Sequence, residues 1–144
     1  MTLATEPRAA RPTRSERMLG PVLTIGGLTA ATVALHLRDP HVSHSWGVCP
    51  LYALTGIYCP GCGGLRGVND LTDGHLGAAA SSNLLLVVAI PFAVLVLVRW
   101  TWVTWQGHGA TVVPALPRAV KLGLGAVLLA FWVARNLPGS WLAP

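Results

Sequence analysis

From Leu76 to Val98 the chain carries no charged residue, and within that stretch Leu84–Val98 is apolar without a break. This run constrains the fold more than any other feature. In helical form, at about 1.5 Å per residue, some twenty apolar residues match a hydrocarbon core of roughly 30 Å. It ends at Arg99, and Trp100, Trp102 and Trp105 follow, residues of the type that settles at a membrane–water interface. Pro91 inside the run lacks an N–H and leaves the Val87 carbonyl without its usual donor, which predicts a kink there. An earlier uncharged stretch, Met18–Leu37, is also long enough to cross once. A third, Leu122–Ala134, is short. It spans only if Lys121 and Arg135 snorkel towards opposite headgroup layers, and the alternative is an interfacial hairpin. Charged residues make up only 10% of the chain, against about 25% in ordinary soluble domains, and the mean hydropathy is +0.57. The expectation is an all-α membrane protein with three transmembrane helices, at about 18–37, 78–98 and 119–137. A mobile basic tail (1–17) precedes this single membrane domain, and a cysteine loop (38–75) joins the first two spans.

The formal charge of +5 is distributed unevenly. Arg8, Arg11, Arg14 and Arg17 lie in the leading tail, and Arg99, Arg118 and Lys121 lie between the second and third spans. The segment Arg38–Gly74 has only Arg38 and Arg66, opposed by Asp39, Asp70 and Asp73. Because Lys and Arg resist translocation, this predicts a cytoplasmic N-terminus and an extracytoplasmic cysteine loop. The first apolar run is longer than an ordinary signal-peptide core of about 7–15 residues, so an uncleaved anchor is expected. Nucleic-acid binding is not expected, since the cations do not cluster among aromatics on a polar surface. The expected partners are the lipid bilayer and a membrane protein or a second copy of the chain. Gly107, Gly109, Pro114 and Pro117 punctuate a loop, with His108 as a solvated member.

All three cysteines fall in the segment C-P-L-Y-A-L-T-G-I-Y-C-P-G-C-G-G-L-R, as Cys49, Cys59 and Cys62. Pro60 restricts the backbone where Gly61 and Gly63 free it, a combination that can turn two sulfurs to one point. A tetrahedral zinc needs four ligands, so the three cysteines would take a histidine, with His44 the expected one and His41 or His75 the others in range. Outside the cytoplasm the same thiols can instead pair as a disulfide or exchange, or remain inert in a buried turn. Beyond them Leu65, Val68, Leu71 and Leu76 recur at near-helical spacing, which predicts an amphipathic helix at the membrane surface. Arg66 and Asp70, four apart, can pair on that helix, or Arg66 can contact an anion or headgroup beside Gly63–Gly64. His75 is expected to satisfy local backbone, and Asn83 to bond to a neighbouring helix.

The pattern C-P-x5-G-x2-C-P-x-C-G-G-x-R, followed by D-G-H-L and an asparagine that opens an apolar helix, resembles the domain of unknown function 2752 family of small bacterial membrane proteins. The family's motif carries over onto Cys49, Pro50, Gly56, Cys59, Pro60, Cys62, Gly63, Arg66 and Asn83. Where the family has threonine before the arginine this chain has Leu65, which removes a hydroxyl and weakens an anion site there; where a proline often follows the asparagine it has Leu84. The resemblance implies a membrane location and no established activity. The favoured expectation is a non-enzymatic accessory protein whose loop is a metal- or disulfide-stabilised cap, because no acid, base and nucleophile converge elsewhere. The alternative is a membrane thiol–disulfide oxidoreductase or electron-transfer accessory using Cys59 and Cys62. A third reading is a headgroup-binding or lipid-modifying helper built on Arg66, Asp70, Asp73 and His75.

Overall fold

The computed structural model describes residues 13–43, 45–107 and 115–143. These residues form five helices and no strand: α1 (Arg14–Leu37), α2 (Pro50–Thr55), α3 (Gly64–Thr72), α4 (Leu76–Gln106) and α5 (Arg118–Arg135). Helix α1 starts inside the expected tail, because Thr13 and Glu16 build a reciprocal cap. The Thr13 hydroxyl accepts from the Glu16 N–H at 3.4 Å, and the Glu16 carboxylate accepts from the Thr13 N–H at 2.7 Å.

Helices α1 and α4 are each long and apolar enough to cross a membrane, with mean hydropathies of 1.7 and 2.5 over their most apolar windows. Only 11% and 6% of those windows is buried, whereas a core helix of a soluble protein would be mostly covered. Their lateral surface is therefore left largely uncovered by the rest of the chain. Helix α5 carries Arg118, Lys121 and Arg135 within its 18 residues and is not among the helices apolar enough to cross by this measure. The two long helices run antiparallel. Arg14 lies 4.3 Å from the Trp105 ring centroid, and a β-carbon at Gly20 would lie 3.3 Å from Trp100. This end of the pair thus gathers the arginines and tryptophans, and the cysteine loop lies at the other.

The expected kink at Pro91 is not the break in α4. Non-helical backbone occurs at Asn83 (φ −161°, ψ 91°), where a first segment gives way to the long apolar one. Asn83 Oδ1 accepts from the Leu86 N–H at 2.9 Å, the bond of an N-cap residue, so the second segment starts with its own cap. Proline is tolerated within the helix that follows.

Helix α3 is amphipathic, but its polar side faces inward. Asn69 and Asp70 are buried while Leu65 is exposed. The Asn69 amide donates to the Leu35 carbonyl at 2.9 Å, satisfying one acceptor left open at the end of α1. The side chain of His36 meets Thr72 Oγ1 at 3.0 Å and Asp73 Oδ1 at 3.1 Å, tying the C-terminal ends of α1 and α3 together. Gly67 brings α3 close to α4: a β-carbon there would lie 3.4 Å from the Ala79 carbonyl and 3.8 Å from Ser82. Gly67→Ala therefore fits and is expected to stabilise the fold by about 0.5–1 kcal/mol through helix propensity. Gly67→Val, with branches pushed into α4, is expected to destabilise by about 1–3 kcal/mol. Thermal unfolding of both variants in detergent checks this reversal of sign.

Candidate metal centre

The loop between α1 and α3 is held from its own sequence first. The Trp46 indole donates to the Arg38 carbonyl at 2.7 Å, and the Ser45 hydroxyl to the Asp39 carbonyl at 2.8 Å. Cys49 then precedes α2, with Pro50 at the first helical position, where its missing N–H costs nothing. Gly56 ends α2 in the left-handed region at φ 70°, and Gly63 opens α3 at φ 75°. These positions favour glycine because a β-carbon clashes with the backbone there. Between them the chain turns tightly at Cys59-Pro60-Gly61-Cys62, with the Cys62 N–H donating to the Cys59 carbonyl at 3.1 Å.

This path brings the three sulfurs together. Cys59 Sγ lies 3.1 Å from Cys62 Sγ and 3.6 Å from Cys49 Sγ, and all three Sγ atoms fall within 4.8 Å of one another. All three thiols are free. Four thiolates around a zinc at 2.3 Å would have tetrahedral edges of about 3.8 Å, so these spacings suit one ion between the sulfurs. The Cys59 N–H also points at Cys62 Sγ, 3.2 Å away, the kind of donor that stabilises a thiolate. The first-turn amides of α2, chiefly that of Tyr52, together with the neighbouring Cys62 thiol bring Cys49 down to about 7, while burial pushes Cys62 up to about 12. In metal-free protein, alkylation of Cys49 is therefore expected to rise steeply between pH 6 and pH 8, as its thiolate forms, and Cys62 to stay unreactive over that range. Mass spectrometry of a maleimide time course at each pH measures both.

The sulfurs border a cavity of about 580 Å³ whose walls include Trp46, Tyr52, Tyr58 and Arg66. Tyr52 and Tyr58 stack with ring centroids 4.5 Å apart. Arg66 is half-buried there and does not pair with Asp70; its Nε donates to the Pro40 carbonyl at 3.5 Å. Asp70 turns inward instead. It accepts from the Ser82 hydroxyl at 2.9 Å and lies 3.3 Å from His41 Nε2, whose other ring nitrogen is 2.8 Å from Asp39. Both nitrogens of His41 are thus engaged away from the cysteines, and among the described residues no histidine joins the sulfur cluster. His75 begins α4 without a side-chain cap bond. His44 and His108 lie outside the described residues.

Asn83 and Arg135 support the turn from below. The Asn83 side-chain amide donates to the Pro60 carbonyl at 2.9 Å and the Cys62 carbonyl at 3.0 Å. Arg135 does not snorkel outward, the condition that the sequence reading sets for a third span. It is 1% exposed, and its two terminal nitrogens donate to the same carbonyls, at 3.2 Å to Pro60 and 3.0 Å to Cys62. Next to it Asn136 bonds both ways with Tyr58, accepting from its N–H at 2.8 Å and donating to its carbonyl at 3.0 Å. The Trp132 indole donates to that carbonyl at 2.8 Å. The end of α5 is thus a clamp on residues 58–62. Sequence reasoning missed these three side chains, although a polar Arg-Asn pair interrupting an apolar stretch was the available signal.

Residues 49–97 match the family described as a protein of unknown function (DUF2752). That segment, about a third of the chain, is similar to the family that the sequence resembles, and it contains both Cys-Pro units, the glycine-rich turn and Asn83. No curated protein and no solved structure matches the chain.

Proposed function

We propose that this chain is a small integral membrane protein whose cysteine loop is a zinc-stabilised cap on a helical bundle, serving as an accessory to a membrane partner or a second copy of itself. The observation that carries the reading is the convergence of Cys49, Cys59 and Cys62, from two separate turns, to within 4.8 Å. Thiolates at this spacing favour a single soft or borderline ion, and zinc adds structural cross-linking without redox chemistry. The fourth ligand is His44 or a water molecule. Thiol exchange at Cys59 and Cys62 is less well supported, because exchange needs an accessible sulfur and Cys62 is 8% exposed.

In the proposed topology the arginine- and tryptophan-rich end faces the cytoplasm, α5 completes a third crossing with Arg135 held by the carbonyls of the cap in place of snorkelling to headgroups, and the cap lies outside. Two measurements test the reading. Protein purified in mild detergent should contain about one zinc per chain, with all three thiols shielded from alkylation until the metal is chelated; metal-free protein with freely reactive or disulfide-bonded cysteines would overturn the cap. A reporter at the exposed Leu54, introduced as Leu54→Cys in metal-loaded cells, should react with an impermeant maleimide without permeabilisation. Labelling only after the bilayer is opened would reverse the orientation.

A further inference from the structure

Arg135 presents an electrostatic problem that the hydrogen bonds alone do not solve. Its guanidinium is buried, no carboxylate among the described residues lies within ion-pair distance, and its Nε atom is buried without a hydrogen-bond partner. Its further contact is the Phe131 ring, 5.0 Å from the guanidinium carbon. A buried cation is costly unless an opposite charge is close. The nearest source of one is the cysteine turn. Arg135 Nη2 is 3.0 Å from the Cys62 carbonyl oxygen, and covalent geometry then limits its separation from Cys62 Sγ to about 8 Å.

We propose that Arg135 is the counter-charge of the cysteine centre: it neutralises the single negative charge left when one divalent ion is held by the thiolates of Cys49, Cys59 and Cys62. The inference rests on the metal reading above and deepens it. A divalent ion with three thiolates carries one net negative charge, and a neutral fourth ligand, imidazole or water, leaves it unchanged. One arginine balances it. A monovalent ion on the same thiolates would leave a second charge uncompensated, so the arrangement favours zinc-like divalent ions. Arg135 acts here as a positioning residue, through charge and through the two carbonyls, without touching the ion. At a separation of about 8 Å and an effective dielectric constant of about 20, losing the charge is expected to weaken the metal roughly 30-fold.

The test compares zinc affinities of the full chain in detergent, measured by competition with a zinc chelator. Arg135→Gln keeps polarity but removes charge, and is expected to bind roughly 30-fold more weakly. Arg135→Lys keeps charge but loses the planar fork, and is expected to recover most of the affinity. Asn83→Asp keeps an oxygen to cap Leu86 but loses the amide donor to the two carbonyls that Arg135 also holds, and adds a negative charge there; Asn83→Ser loses the same donor and adds no charge, so Asn83→Asp should bind zinc more weakly than Asn83→Ser. Equal affinities for the Gln and Lys variants, or undiminished binding by Arg135→Gln, would overturn the counter-charge role while leaving the metal cap standing. Wild-type protein that binds no zinc overturns both. Should Arg135→Gln not fold, Arg135→Lys and the two Asn83 variants decide: tight binding by Arg135→Lys, with Asn83→Asp weaker than Asn83→Ser, supports the proposal, and equal binding by the two Asn83 variants overturns it.

Discussion

On the proposed zinc-cap reading, Cys62→Ser is expected to release the metal and loosen the whole loop. Serine cannot supply a thiolate, so affinity should fall by more than about a hundredfold, the upper range for losing a mere outer-shell partner. Because metal binding is coupled to ordering, much of the centre's binding free energy is withdrawn from the fold as well. The loss should spread along defined paths. Cys62 is buried between the turn and the Asn83–Arg135 clamp, whereas Cys49 joins from the start of α2. Cys49→Ser should therefore free residues 49–56 but leave the 59–62 turn on its clamp. Limited proteolysis with metal analysis separates the two cases: cleavage confined to residues 49–57 is expected for Cys49→Ser, and cleavage reaching residues 58–66 for Cys62→Ser. Unchanged metal content in the Cys62→Ser protein would contradict the three-sulfur centre.

Asn83→Leu should produce a large stability loss. Asn83 is 2% exposed and serves two structures at once, capping the long apolar segment of α4 and holding the carbonyls of Pro60 and Cys62. Loss of an N-cap costs about 1 kcal/mol, and weakening two buried acceptors adds roughly 1–3 kcal/mol in total, since Arg135 still reaches both. A destabilisation of about 2–4 kcal/mol is expected, measured by unfolding in detergent. Pro91→Ala, in backbone that remains helical, should change stability much less. A larger effect at Pro91 than at Asn83 would contradict the placement of the break.

The contrast between these two residues shows what sequence patterning reaches. Proline is read as a helix breaker from its chemistry, and Pro91 lies in an obvious helix, so the kink was expected there. An asparagine has no such rule: whether it caps, bridges or lies in solvent depends on which acceptors tertiary packing brings to it. Helix α3 teaches the same lesson. Its amphipathic spacing was legible, but the usual assumption that the polar side faces water fails when the polar groups find partners inside and Leu65 is left exposed. Arg66 and Asp70 had the spacing of an intrahelical pair, yet Ser82 and His41 hold Asp70 inward.

The apolar runs by themselves determined that α1 and α4 are long helices with lipid-compatible surfaces, because length and hydropathy follow directly from residue order. The Cys-Pro and glycine pattern likewise determined where the turns lie, since fixed and left-handed backbone positions are properties of those residue types. Only tertiary structure decided that Cys49 meets Cys59 and Cys62 and that Arg135 lies beneath them. Such contacts depend on how elements distant in the chain pack, and a buried cation can be recognised as one half of a charge pair only when the other half is in view.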